Sequence, residues 1–260
     1  MPGERREKLR EYVELHGEAT ITELEELSGG CSPMTLWRDL KRLEEEGVLR
    51  RVRGGVVATR LLSIEVEGMY SQRAAKNVTA KRAIAREALR FVSEGRSLFF
   101  DAGSTIMALA QLLPDKHYTI LTSGANVAVE LSQRHSCTSI CMGGQVSGNT
   151  LSCSGPQAEA FLASVNIDVA LMASSGYTLA CGFTSGSAAE YRLKQQVIQK
   201  AATVVMLLDA GKLGVSLPYT FAAMQDIDVL ICDIAPPQDI LEEANRRNVE
   251  VVVAEKKKED

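Results

Sequence analysis

Between residues 97 and 254 short continuous apolar runs alternate with stretches whose apolar residues recur every three to four positions. The runs at 97–103, 118–123, 138–144, 167–175, 203–211, 227–233 and 249–254 predict strands. The periodic stretches at 79–95, 104–113, 124–135, 156–165, 187–201 and 237–248 predict amphipathic helices. Continuous apolar strands separated by such helices predict a parallel sheet covered on both faces. The N-terminal pattern differs. Leu9, Tyr12 and Val13 mark one side of a helix over 4–16 that Gly17 ends. A second helix follows Ile21, with Leu24 and Leu27 inward and a capping box at Thr22 and Glu25. Gly29-Gly30 make a turn.

The third N-terminal helix is the most strongly marked element. Ser32 supplies a cap and Pro33 occupies the first helical position, where a missing N–H costs nothing. Leu36, Leu40 and Leu43 form its apolar face, while Thr35, Trp37, Arg38, Lys41 and Arg42 lie on the other. Gly47 is a left-handed stop. Residues 48–58 then read as a hairpin turning at Gly54-Gly55, with Arg50, Arg51 and Arg53 in its first arm. A basic helix followed by a basic hairpin is the pattern of a winged helix-turn-helix, in which the helix enters the major groove and the wing touches phosphate. The competing reading is a solvated polar face. Asp39 and Glu44 are placed on the flank that turns away from the groove.

Composition narrows the classes. The chain has 260 residues, a formal charge of -4 and 45% hydrophobic residues, ordinary for a globular protein with room for a large core and a small extra domain. The acidic total does not exclude DNA, because the basic side chains cluster between Arg38 and Arg53. No apolar run approaches the ~20 residues of a membrane span, and the charged N-terminus lacks a signal core. The six cysteines form no CxxC pair; Cys137 and Cys141 could join a metal site, but no His supports one. The expectation is a cytoplasmic protein without disulfides, metal or cofactor. Three segments follow: a winged helix-turn-helix domain at 1–58, a linker of mixed charge at 59–78, and an α/β, Rossmann-like, mostly parallel domain at 79–260.

Ligands of open parallel sheets bind beyond the carboxyl ends of the strands. Asp101-Ala102-Gly103-Ser104-Thr105 follows one strand and opens a helix, so it reads either as an anion cradle or as a plain capped helix start. Thr122-Ser123-Gly124, Gly143-Gly144, Ser174-Ser175-Gly176 and Asp209–Lys212 end other strands. Five strand ends with small or polar residues point to a pocket.

Residues 4–58 resemble the DNA-binding domain of DeoR-family transcriptional regulators through Thr35, Leu36, Arg38, Asp39, Leu40, Leu43, Gly47, Gly54 and Gly55. Trp37 and Arg53 stand where that family usually has Arg and His, which bears on operator sequence. Residues 79–235 resemble the family's effector domain through Lys81, Asp101–Thr105, Gly143-Gly144, Asp168, Glu190 with Lys194, and Asp209–Lys212. The resemblance implies a fold similar to ribose-5-phosphate isomerase, a phosphorylated sugar as effector, operator DNA as partner and a homo-oligomer. It further implies that Lys81, Ser104 and Thr105 hold phosphate and that Glu190 and Lys212 face the sugar. Asp101, Gly103, Thr122, Ser123, Gly124, Gly144, Gly176 and Lys194 complete the expected pocket. Two other functions compete: an isomerase with an accessory domain, and an architectural DNA-binding protein without ligand. Isomerisation needs a base with supporting groups. The related isomerases carry an acidic loop after the fourth strand, where this chain has Ala173-Ser174-Ser175-Gly176-Tyr177, without a carboxylate.

Overall fold

The computed structural model describes residues 2–46, 48–52, 55–58 and 69–254. Two compact units, Met1–Ile64 and Glu65–Asp260, divide the chain.

The first unit holds helices α1 (Pro2–His16), α2 (Ile21–Leu27) and α3 (Pro33–Glu45) and strands β1 (Glu18–Thr20), β2 (Leu49–Val52) and β3 (Gly55–Ala58). Leu9, Val13, Leu24, Leu36, Leu40, Leu43, Leu49 and Val56 make its core. Ser32 caps α3 by accepting from the Thr35 amide at 3.3 Å, with Pro33 in the first turn, as the sequence predicts. The capping box of α2 lies two residues earlier than expected. Thr20 Oγ1 accepts from the Glu23 amide at 3.3 Å, and Glu23 Oε2 accepts from the Thr20 amide at 2.7 Å. The cause is tertiary: β1 pairs antiparallel with β3 and ends at Thr20, so the helix starts there rather than at Thr22. The backbone and hydroxyl bonds from Thr20 also pull the Glu23 carboxyl below its usual range.

The wing is a three-stranded sheet in the order β1-β3-β2. Gly55 is a strand residue paired with Val52, not the second turn residue expected from the Gly54-Gly55 pair. A Cβ there would lie 2.2 Å from the Ala19 carbonyl oxygen, so only glycine lets β3 approach β1. Arg53, Gly54 and Gly47 lie outside the described residues.

The second unit is built on seven strands: β4 (Ser97–Phe100), β5 (Tyr118–Thr122), β6 (Cys137–Cys141), β9 (Ile167–Ala173), β12 (Ala201–Leu208), β14 (Val229–Cys232) and β15 (Glu250–Val253). Their order is β15-β14-β12-β9-β4-β5-β6, and every adjacent pair is parallel. Alternation divides the side chains between two layers. Phe99, Leu121, Met172, Met206 and Leu230 belong to the core with helices Pro156–Ala163, Ala188–Lys200 and Gln238–Arg246. Leu98, Phe100, Ile120, Leu171, Leu207 and Ile231 belong to the core with Val78–Ala88, Ser104–Leu112 and Ala125–Ser132. Burial on both faces is why these strands read as continuous apolar runs.

The periodicity missed the short elements. β10 (Gly176–Thr178), β11 (Gly182–Ser185) and β13 (Tyr219–Ala222) form a second, antiparallel sheet. β7 (Gln145–Val146) and β8 (Cys153–Ser154) form a small antiparallel pair. Within the stretch expected to be linker, Tyr70–Ala75 is a helix, and residues 59–68 lie outside the described residues. Cys141 and Cys153 bring their sulfurs to 3.4 Å, and both are free thiols. Burial and the neighbouring Cys141 push the Cys153 thiol up to about 11. Among the described residues no cluster of three or more metal-ligating side chains occurs, and no helix is long and apolar enough to cross a membrane.

Candidate DNA-contact face and ligand cleft

Burying Leu36, Leu40 and Leu43 turns the opposite side of α3 outward, so Trp37, Arg38, Lys41 and Arg42 are exposed. Arg38 meets no acidic side chain among the described residues. Asp39 is buried and bonded to Arg5, with its Oδ2 2.6 Å from Arg5 Nη2 and its Oδ1 3.8 Å from Arg6 Nε. It therefore ties α3 to α1. Glu44 holds the wing: Arg51 Nε donates to it at 2.6 Å and the Arg51 amide at 2.9 Å. The Arg51 guanidinium carbon also lies 5.8 Å from the centre of the Trp37 ring, so Trp37, Arg51 and Glu44 fix the wing against α3. Thr35 contributes to the cap, its hydroxyl 2.9 Å from that of Ser32. Lys41 pairs loosely with Glu45 at 3.8 Å. Arg50 lies in β2 opposite Val57.

At the carboxyl ends of the parallel strands a narrow cleft is lined by Arg73, Ala102, Gly103, Ser104, Thr105, Thr150, Ala173, Ser174, Ser175, Glu190, Lys194, Asp209 and Lys212. Gly103 precedes the helix Ser104–Leu112 with φ 142°, a conformation closed to residues with a Cβ, and no side chain caps that helix. The first intrahelical bond runs from the Met107 amide to the Gly103 carbonyl at 2.9 Å. The amides of residues 104–106 thus precede any intrahelical partner and, with the helix dipole, favour an anion.

Asp101 lies beneath this turn, 2% exposed. Its carboxylate accepts from the Ala102 amide at 2.8 Å, Ser123 Oγ at 3.2 Å, the Ala173 amide at 3.1 Å and the Lys194 ammonium. Lys194 Nζ also donates to the Ala173 carbonyl at 2.9 Å and stands 5.0 Å from the centre of the Phe221 ring. Glu190 is positioned from the other side. Its Oε1 accepts from Thr150 Oγ1 at 2.5 Å and from Ser152 Oγ, and its Oε2 from Ser185 Oγ at 3.5 Å. Asp209 accepts from Asn77 Nδ2 at 2.8 Å.

Gly103, Ser104, Thr105, Glu190, Lys194 and Lys212 therefore meet in one place, with Asp101 supporting them. The remaining expected residues go elsewhere. Lys81 is not among the residues lining this cleft: its Nζ donates to the Arg73 carbonyl and, at 2.6 Å, to the Lys76 carbonyl, and desolvation lowers its pKa, while Asp209 and Lys212 of the cleft lie near enough to act on its charge. Thr122 accepts from the Gly124 amide at 3.0 Å, and both it and Ser123 are buried. At Gly144 and Gly176 a Cβ would lie 2.5 Å from the Ser154 carbonyl oxygen and 2.4 Å from that of Val215. At Gly124 it would press on Val127 at 2.8 Å. These glycines permit chain-to-chain contact. Sequence reasoning missed Arg73 and Thr150. The hydroxyl-rich stretch 147–154 was a usable signal for Thr150; the mixed charge and short period around Arg73 were not.

Residues 5–60 match the DeoR-like helix-turn-helix domain, and residues 76–234 match the DeoR C terminal sensor domain. The chain is similar to the HTH-type transcriptional regulator GlpR of Haloferax volcanii, 35% identical over 97% of this chain and 98% of the relative. It is similar to the HTH-type transcriptional repressor GlcR of Bacillus subtilis, 30% identical over 85% of this chain and 84% of the relative. Among solved structures, ribose 5-phosphate isomerase A from Methanocaldococcus jannaschii overlaps 53% of this chain and 55% of its own at 16% identity and a TM-score of 0.40. The protein belongs to the DeoR family of transcriptional regulators.

Proposed function

We propose that the protein is a cytoplasmic repressor of a carbohydrate-catabolic operon, released from its operator by a phosphorylated sugar bound in the cleft. The observation that carries this reading is the pairing of two chemistries in one cleft. The uncapped helix start at Ser104-Thr105, with Lys212, suits a phosphate. The Glu190 carboxylate, held by hydroxyls of Thr150, Ser152 and Ser185, suits the hydroxyl groups of a sugar. Release requires that the effector bind the DNA-free state better, typically by about 1–3 kcal/mol.

Thr105 supplies a hydroxyl that valine lacks at nearly the same volume. Thr105→Val retains operator binding and loses the effector response. Calorimetry with a panel of pentose and hexose phosphates checks this; undiminished effector affinity in the variant, or equal affinity for the unphosphorylated sugar, moves the phosphate away from this turn.

On the DNA side, α3 enters the major groove and the β2–β3 wing lies on phosphate. The two arginines then separate in a binding assay. Arg38→Ala costs about 1–3 kcal/mol on the operator and far less on unrelated DNA, the signature of base reading. Arg51→Ala weakens binding to all sequences and lowers the salt slope by about one, because it removes a cation and leaves Glu44 beside the wing without that partner. Wild-type operator affinity in both variants would reject this docking. One short recognition helix reads few base pairs, so the protein acts as a dimer or tetramer on paired half-sites. Sedimentation of a monomer on the operator would contradict that.

A further inference from the structure

We infer that Arg73 is an anion contact of the cleft, and that a bound anion fixes the short helix Tyr70–Ala75 that carries it. The inference rests on the proposed reading of the cleft as an anion site and adds a residue and an element to it. A six-residue helix is too short to be stable by itself. This one has no fully buried residue and no side-chain cap, and only Tyr70, Arg73 and Ala74 are half-buried, so its apolar packing is slight.

Polar contacts from the rest of the unit hold it at both ends. At its start the Tyr70 amide donates to the Asn149 carbonyl at 2.7 Å. Asn149 precedes Thr150, whose hydroxyl donates to Glu190 in the cleft. At its end the ammonium of Lys81, 5% exposed, donates to the carbonyls of Arg73 and Lys76. Keeping a desolvated ammonium on two carbonyls is costly, and it satisfies acceptors that the helix end leaves open. Lys81 thereby acts as a clamp on the helix end.

Arg73 lines the cleft with Ser104, Thr105 and Lys212. A tetrahedral anion seated on the amides of residues 104–106 presents further oxygens to a guanidinium fork. It would add charge-assisted bonds between Tyr70–Ala75 and the helix Ser104–Leu112, which already lie side by side. Tyr70–Ala75 is also the first described element of the second unit along the chain. Ligand occupancy would therefore be felt where the chain arrives from the DNA-binding unit.

The test uses the full chain, with inorganic phosphate as probe and a panel of pentose and hexose phosphates beside it. Calorimetry gives affinity, and hydrogen exchange read by mass spectrometry follows residues 69–77. Wild type is expected to bind phosphate and to slow exchange across 69–77 on binding. Arg73→Gln is expected to bind phosphate at least tenfold more weakly and to lose that slowing. Arg73→Lys, which keeps the charge without the fork, is expected to recover part of the affinity and little of the protection. If Arg73→Gln binds phosphate as wild type does while Thr105→Val does not, the cleft reading stands and the Arg73 assignment falls. If Arg73→Gln fails to fold, Arg73→Lys decides, and phosphate affinity and protection equal to wild type overturn the inference. If wild type binds neither phosphate nor any member of the panel, the cleft reading falls and the inference with it.

Discussion

Lys194→Met destabilises the second unit by about 3–5 kcal/mol, the cost of stranding a buried charge whose partner is removed. The methionine keeps most of the apolar stem and its contact with Phe221, so little of the loss comes from packing. What remains is Asp101, 2% exposed, still accepting from the Ala102 and Ala173 amides and from Ser123 but without its cation. The second variant of the cycle is Asp101→Asn in the same background. The double variant regains part of the stability, because the buried charge is gone, although an amide cannot satisfy every donor that meets the carboxylate. Urea unfolding of the four proteins measures this. A loss under about 1 kcal/mol in Lys194→Met would mean that water reaches the pair and screens it.

Leu40→Ala abolishes operator binding while leaving the ligand cleft functional. Leu40 is fully buried in a core shared with Leu9, Val13, Leu24, Leu36, Leu43 and Leu49. Truncating a buried leucine to alanine costs about 2–5 kcal/mol. A unit of this size has a total stability of only about 3–10 kcal/mol, from the usual stability per residue. The larger, separately cored second unit does not share that core. Circular dichroism melts and operator binding report the first unit, and ligand calorimetry reports the second. Wild-type operator affinity in Leu40→Ala would show that the α3 seam is not what holds the unit together.

Much of the architecture follows from local spacing. The i, i+4, i+7 leucines of α3 and the Ser32-Pro33 start are satisfied within one helix and its immediate neighbours, so their pattern carries its own answer. The apolar strand runs are as legible, since a strand buried on both faces has no polar position to confuse its period. The short antiparallel strands 176–178, 182–185 and 219–222 are not legible, because three or four residues cannot establish an alternation. The capping box of α2 differs from its local expectation for a related reason: β1 takes Glu18–Thr20 into a sheet, and that pairing with β3 sets the helix start.

The cleft divides along the same line. The turn Asp101–Thr105 could be recognised because a hydroxyl-rich, glycine-bearing link between a strand and a helix has a mechanism for holding anions in its backbone. Thr122, Ser123, Gly124, Gly144 and Gly176 share that composition, yet they serve buried hydrogen bonds and close backbone contact. Composition cannot separate a glycine that admits a ligand from one that admits another strand.

By itself the sequence determined the two kinds of unit, the exposed basic side of α3 and the candidate phosphate turn, each from residues within one or two turns of chain. Only the tertiary structure decided which charges meet: Lys194 with Asp101 across 93 positions, Thr150 with Glu190 across 40, and Lys81 with the end of the Tyr70–Ala75 helix. The physical reason is that local periodicity sets which face a side chain takes, whereas its partner depends on strand order. The crossovers of a parallel sheet bring together residues from distant parts of the chain, and no local pattern records that pairing.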